Sequence, residues 1–420
     1  MKKLITIACL IGGGAIFADV ATVSNVSIEQ PTTSRKVSIK YKLSKPAVIT
    51  VDIQTNCGEN AWASIGAENF TTMWKDVNRL VTPAADGGFN EILWRPDKDW
   101  NGHKLDAGSV KAVVTAWAED ATPDYMAVSL TTQSGVFYYV SSNAVPGGVT
   151  DNRYKTDWLL MRKIPAAGVT WRMGRAPADG TVSSETPHLV QLSSDYYIGV
   201  YPVTCRQQLN VGYGLSNNSS NIGDMKPASA TAHGLRGWTE EYTAWPQDES
   251  HAVNPDGVIG KFRSFTGIEF DLPTEAQWEF AARGGEGTLL YNGDALTAAN
   301  VAKYGWENCG SFRDVGLLEP NKFGLYDCLG NVAEMCLDWY AGSFYGVPSD
   351  GTPIIDPLGP PTIQNSDKST YYATRVVRGG SYDTGAGNCS LSVRARHNQK
   401  SGWAPNQDGY RLMAPMGGKW

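Results

Sequence analysis

Val37, Ile39, Tyr41 and Leu43 occupy every second position with Ser38, Lys40 and Lys42 between them, and Ala47, Ile49, Val51 and Ile53 repeat the pattern after a short break. Period two sends successive side chains to opposite faces, so each run is a half-buried strand and not a helix. A third run, Val110, Ala112, Val114 and Ala116, closes the segment. Strand runs separated by turn clusters predict an antiparallel, all-β sandwich-like module over residues 19–117. Inside it, NEILWRPDKDWNG sets Trp94 and Trp100 on either side of a Pro-Asp turn. Core anchoring is favoured over sugar stacking for these rings, because burial is the commoner fate of tryptophan.

The chain has 420 residues, enough for roughly two to three domains. At 42% hydrophobic and 19% charged it lies far from the disordered regime. The 45 glycines and 14 tryptophans suit loops held by aromatic anchors better than a helical bundle. A net charge of -6 with no Lys/Arg run excludes a nucleic-acid surface. Residues 1–18 read as an export signal: Lys2 and Lys3, an apolar stretch from Leu4 to Phe17, then Ala18. Cys9 lacks the small-residue context of a lipid-anchored cysteine, and no later segment reaches the ~20 apolar residues of a membrane span. The expectation is a secreted, periplasmic or cell-surface protein with no transmembrane segment; nothing in the sequence sets an oligomeric state.

Export makes disulfides expected among Cys57, Cys205, Cys309, Cys328, Cys336 and Cys389. Cys309 and Cys328 flank one loop and are the easiest neighbours. No C-x2-C spacing occurs, and His103, His188, His233, His251 and His397 are scattered, which argues against a histidine-ligated metal. No G-x-S-x-G or H-E-x-x-H motif supports a hydrolase, and Glu240-Glu241 reads as a solvated face.

Residues 118–155 lack periodicity and contain Pro123, Phe137-Tyr138-Tyr139 and Pro146-Gly147-Gly148, which reads as a connecting segment with one or two docked strands. Further on, LPTEAQWEFAARGG (Leu272 to Gly285) predicts a helix: Thr274 caps it with Gln277 three residues on, and Gly284 stops it. Its apolar residues suit packing against a sheet.

That helix belongs to an ordered series: LLMRKIPAAGVTWRMG from Leu159, ETPHLVQLSSDYYIGVYPVT from Glu185, GLYDCLGNVAEMCLDWY from Gly324, RVVRGGSY from Arg375 and DGYRLM from Asp408. The series, spanning residues 156–420, resembles the formylglycine-generating enzyme, or sulfatase-modifying factor, family. The resemblance implies an α+β, C-type-lectin-like fold with much irregular structure and bound calcium. It assigns calcium to the side chain of Asp327, the carbonyls of Gly330 and Val332 and the carboxylate of Glu334, hard oxygens of the kind that ion takes. A second site would begin at Asn300 and Val301, but no further ligands can be placed between Trp306 and Pro320.

The family's enzymes hold copper between two thiolates after a GGS turn and oxidise a cysteine of the target protein. Gly379, Gly380 and Ser381 match the turn, and Cys389 matches the second cysteine. The resemblance thus makes Cys389 and Ser381 the catalytic positions. The first cysteine's place falls at Thr384, whose hydroxyl is a hard, weak ligand for Cu(I). Ala333 stands where the enzymes commonly carry tryptophan. The resemblance also brings the blocks of Cys336 and Cys389 together; a bridge there would make Cys389 a structural half-cystine.

Arg394 and Arg396 are candidate ligand-binding residues for an oxyanion, since guanidinium forks suit planar anions. Arg411 reads instead as a buried bridge to a carboxylate such as Asp338. The loops are rich in Asn, Ser, Gly and Tyr, residues suited to adaptable recognition. Related folds serve as ligand-binding variable proteins. The expected function is therefore a binding module for a peptide or glycan that lacks the two-cysteine oxidase site. The alternative is a copper-dependent oxidase acting on cysteine through Cys389.

Overall fold

The computed structural model describes residues 20–30, 34–58, 61–103, 108–131, 135–229, 231–236, 253–344, 346–360, 374–398 and 407–416. The export segment with Cys9, and the pair Glu240-Glu241, lie outside the described residues. The chain divides into two compact units, one ending at Met126 and completed by Val136–Asp151, the other made of Ala127–Gly135 and everything from Asn152. The stretch read as a connection carries the strands Tyr125–Ser129 and Val136–Tyr139.

The first unit is a two-sheet β module. One sheet runs in the order Val23–Glu29, Val37–Leu43, Asn90–Trp94, Trp74–Lys75. In the other, the long strand Ala47–Gly58 pairs with Val110–Trp117 along one edge and with Ala61–Ser64 and Arg79–Val81 along the opposite one. The alternation seen in the sequence becomes the core. Val37, Ile39 and Tyr41 meet Ile49, Ile53, Ile92 and Val114 in one buried cluster. Trp94 is fully buried there, its indole N–H donating to Asp99 Oδ2 at 3.1 Å. Asp99 also accepts from the Thr72 backbone and hydroxyl, so the Pro-Asp turn clips a neighbouring loop as well as the ring. Trp100 packs partly against this core and stacks on His103 at 4.1 Å.

The second unit is a mixed α/β structure with long irregular connections. Its opening strand Trp158–Ile164 lies antiparallel to Tyr196–Gly199, which pairs on its other side with Met413–Pro415, so strands from the two ends of the unit flank one shared strand. A second sheet runs Arg394–Asn398, Thr374–Arg378, Ala333–Trp339, Asp408–Gly409, bringing three of the sequence blocks side by side. The helix Glu275–Arg283 forms as its sequence predicts: Thr274 and Gln277 make a reciprocal capping box and Gly284 ends it in the left-handed region at φ 58°. Trp278, Ala281 and Ala282 enter the core beside Leu329, Cys336 and Val376.

Candidate functional site

The strand Thr374–Arg378 ends in Gly379 and Gly380, at φ 86° and 75°. A Cβ on Gly379 would stand 2.6 Å from the Cys328 carbonyl oxygen, and one on Gly380 would stand 2.9 Å from the Cys389 sulfur. Both positions therefore require glycine, and the turn is pressed onto two other blocks. Ser381 is buried at its apex, its Oγ facing the N–H of Asp383 at 3.4 Å. The Ser381 N–H donates to Thr384 Oγ1 and the Thr384 hydroxyl donates back to the Ser381 carbonyl, both at 2.9 Å. Cys389 Sγ lies 3.4 Å from the same hydroxyl oxygen. With the Thr384 proton already committed to the backbone, the thiol is the donor of that contact. Burial pushes the Cys389 thiol up. A buried, protonated thiol is a poor nucleophile.

A lip of polar and aromatic groups surrounds this turn. The Cys309 N–H donates to the Tyr382 carbonyl at 2.9 Å, which brings the loop from Trp306 to Arg313 beside the turn. Gln407 donates its amide to Asp383 at 2.7 Å, and Phe312 meets Tyr382 edge to face. Asn308, Asp383 and Asn388 are exposed.

The residues assigned to calcium lie on the adjoining turn, where Asp327, Gly330 and Asn331 all take positive φ. The Gly330 N–H donates to the Gly379 carbonyl at 2.9 Å, joining the two turns. Asn331 clamps Arg313, its side-chain oxygen accepting from the Arg313 N–H and its amide donating to the Arg313 carbonyl. Val332 is buried against Gly409, where a Cβ would approach to 2.6 Å. Asp327 Oδ2 accepts from the Gly316 N–H at 2.6 Å, while its Oδ1 is buried and has no hydrogen-bond partner among the described residues. Burial, chiefly, pushes the Asp327 carboxyl up to about 6. Glu334 is held by a fork from Arg411, at 2.9 and 2.7 Å, and by the Trp278 indole N–H at 2.7 Å. Asn300 and Val301 sit elsewhere, inside the helix Ala298–Tyr304. There the Asn300 amide is spent on the Ala295 carbonyl, and the Val301 carbonyl accepts from Gly305. Among the described residues no three metal-ligating side chains converge around them or elsewhere.

The two arginines expected to meet a ligand behave differently. Arg394 is buried and makes a two-pronged pair with Glu275 at 2.5 and 2.8 Å, donates to the carbonyls of Ser184 and Ala341, and covers the Phe344 ring. Its fork is spent on these partners within the fold. Arg396, two residues along the same strand, is exposed. Arg411 is a buried bridge as expected, but its carboxylate is Glu334 and not Asp338; it also ties the carbonyls of Gly199 and Tyr326.

Sequence reading missed the largest feature of this region. Glu275 and Glu279, one turn apart on the helix, are buried together with Arg283, Arg378 and Arg394. Arg378 pairs with Glu279 and donates to the carbonyls of Leu391 and Ser392. The signal was present: two carboxylates at i and i+4 on the apolar side of a helix, and arginines flanking the GGS turn.

Cys57, Cys205, Cys309, Cys328, Cys336 and Cys389 are all unbridged in the structure. Neither the Cys309/Cys328 nor the Cys336/Cys389 bridge occurs: the Cys336 sulfur faces the Glu334 carbonyl, whereas Cys389 faces Thr384.

A formylglycine-generating enzyme of Streptomyces coelicolor is 38% identical over 126 residues, 26% of this chain and 35% of that protein. The enzyme of Thermomonospora curvata is 36% identical over 124 residues, 26% of this chain and 38% of its own length. The chain thus spans little more than a third of these relatives. Among solved structures, Treponema denticola variable protein 1 is similar at 23% identity and a TM-score of 0.45, covering 61% of this chain and 95% of its own. Residues 163–415 match the family described as "Sulfatase-modifying factor enzyme 1-like domain", and the chain belongs to that family.

Proposed function

We propose that the second unit is a non-oxidising binding module of its family, acting outside the cytoplasm on a peptide or glycan. The observation that carries this reading is the Thr384 hydroxyl at 3.4 Å from the Cys389 sulfur. The pair occupies the positions at which the family's enzymes place two thiols. An oxygen ligand that donates its proton to the Ser381 carbonyl does not fit a soft Cu(I) ion. What remains around the turn is the lip of Asn308, Tyr382, Asp383 and Gln407, side chains that offer hydrogen bonds and one aromatic surface.

Titration of the reduced protein with Cu(I) against a competing chelator tests the first half of the reading. No tight site is expected. A tight 1:1 site that disappears in Cys389→Ser, together with aldehyde formation on a cysteine-containing peptide, would establish the oxidase alternative instead. Glycan and peptide arrays test the second half, with binding expected to weaken in Tyr382→Ala.

Calcium at Asp327, Gly330, Val332 and Glu334 is part of the same proposal. It is supported by the buried, unpartnered Oδ1 of Asp327 and by Glu334 Oε1, which accepts one hydrogen bond and keeps a lone pair. The residues fit a cation there as a structural brace between the two turns. Calcium is expected to raise the unfolding temperature over that in chelator, by the linkage of binding to the native state. An Asp327→Ala protein that responds to calcium like wild type would remove the assignment.

A further inference from the structure

The first unit presents a sheet face that its own core does not explain. Ser38, Lys40 and Lys42 project from Val37–Leu43 on the side opposite its buried residues. Register places Lys40 beside Glu91, Ser38 beside Leu93, and Leu93 beside Trp74. Ser24 and Ser27 stand next to Lys42 and Lys40 on the other flank. Trp74 is only half-buried, with the Lys36 ammonium 5.7 Å from its ring. Phe89 is 50% exposed, with the Lys42 ammonium 5.3 Å from its ring. Lys75 pairs with Glu91, whose carboxyl is held low by that hydrogen bond, by Ser38 and by the charge of Lys40. Lys36, Lys40, Lys42 and Lys75 against Glu29 and Glu91 leave the face basic on a chain of net charge -6.

Lysines on exposed sheets often guard open edges against pairing with other chains. Lys40 and Lys42 do not, since Val37–Leu43 is an interior strand of its sheet. Nor does solubility call for two aromatic rings on the same face. Four residues of strand separate Phe89 from the level of Trp74, roughly 14 Å at about 3.4 Å per residue. The rings stand at two points along a strip that also carries the ammonium groups and the hydroxyls of Ser24 and Ser27, while the Ser38 hydroxyl donates to Glu91 at 2.6 Å.

We propose that this face binds an acidic polysaccharide. The rings offer flat apolar surfaces to the C–H faces of sugar rings, the lysines meet the carboxylates, and the serines meet hydroxyl groups. An anionic membrane is the competing occupant, and vesicle binding distinguishes it. The inference concerns the first unit alone and is independent of the ligand of the second.

Affinity electrophoresis of the full chain through gels containing polygalacturonate, with dextran as the uncharged polymer, tests it. Retardation by polygalacturonate and not by dextran is expected, weakening as salt rises. Trp74→Ala and the double variant Lys40→Glu/Lys42→Glu are each expected to lower the apparent affinity at least tenfold at an unchanged unfolding temperature. Lys98→Glu, an exposed charge reversal in the turn Pro96–Asp99, is expected to leave it unchanged. Absence of retardation, equal retardation by dextran, or undiminished binding in the face variants would each overturn the proposal. Binding only to phosphatidylglycerol vesicles would do so as well.

Discussion

The Thr384 side chain closes the GGS turn on itself and caps the thiol of Cys389 at 3.4 Å. One oxygen accepts from the Ser381 N–H, donates to the Ser381 carbonyl and receives the thiol proton. A sulfur at this position would make each of those contacts longer and weaker. Threonine is therefore a lock on the backbone of this turn. Thr384→Val keeps the shape and removes the oxygen, leaving the Ser381 N–H without an acceptor. The expected cost is about 1–3 kcal/mol, read from urea denaturation. Thr384→Ser is expected to retain most of that stability, and equal losses in both variants would mean that the methyl group and not the hydroxyl matters.

Arg411 and Glu334 form the buried pair beneath that turn, both essentially without solvent contact. Removing the arginine leaves a carboxylate whose other donor among the described residues is the Trp278 indole. Arg411→Met is expected to destabilise the protein by about 3–5 kcal/mol, the range for breaking one side of a buried ion pair. Adding Glu334→Gln should recover part of the loss, because the unpaired charge is then gone. A double variant no more stable than Arg411→Met would show that Arg411 acts mainly through the Gly199 and Tyr326 carbonyls.

The elements that could be read from the sequence are those whose cause is local. The alternation from Val37 to Ile53 needs only a two-residue period, and the cap of Glu275–Arg283 needs only Thr274, Gln277 and Gly284. The collinear blocks gave the second unit its architecture and put Thr384 opposite Cys389. Partner choice was not legible in the same way. Arg394 and Arg396 differ by two positions, yet one is spent on Glu275, 119 residues away, while the other faces solvent. The same holds for Arg411, whose carboxylate comes from the strand Ala333–Trp339 four residues before the expected Asp338. Long side chains are assigned by the packing of distant segments, and no periodicity records that.

Asp338 contributes to the pH dependence in the same direction as Asp327, whose carboxyl is also pushed up by burial. Burial first, and then the nearby charge of Glu275, push the Asp338 carboxyl up to about 7, against the Glu275 N–H it accepts at 2.7 Å and the charges of Arg394 and Arg375. The unfolded chain releases that proton near pH 4. Between roughly pH 4 and 7 the native state binds more protons than the unfolded one, so stability falls as pH rises through that window. The contribution is fully present below the unfolded value and lost above the folded one. Asp338→Asn is expected to flatten this slope, with urea midpoints compared at pH 5 and pH 8. A variant that keeps the wild-type slope would place the titration elsewhere.

Thiol counting separates the structure from the disulfide framework that export leads one to expect. Cys57 is exposed at the end of a strand and is expected to react at once with Ellman's reagent in the native protein. Cys309 is half-buried, with its thiol donating to the Ser311 carbonyl at 3.4 Å, and should follow more slowly. Cys205, Cys328, Cys336 and Cys389 are buried, and burial raises each thiol, that of Cys328 to about 12. They are expected to react only as the protein unfolds, because the thiolate is the reactive form and the reagent has no path to it. Protein beginning after residue 18 and denatured without reductant should then show all of the thiols at Cys57, Cys205, Cys309, Cys328, Cys336 and Cys389. A denatured count short by two would reveal a bridge, and peptide mapping would show whether Cys389 belongs to it. In that case its sulfur would have to leave Thr384, and the lock on the turn would open with it.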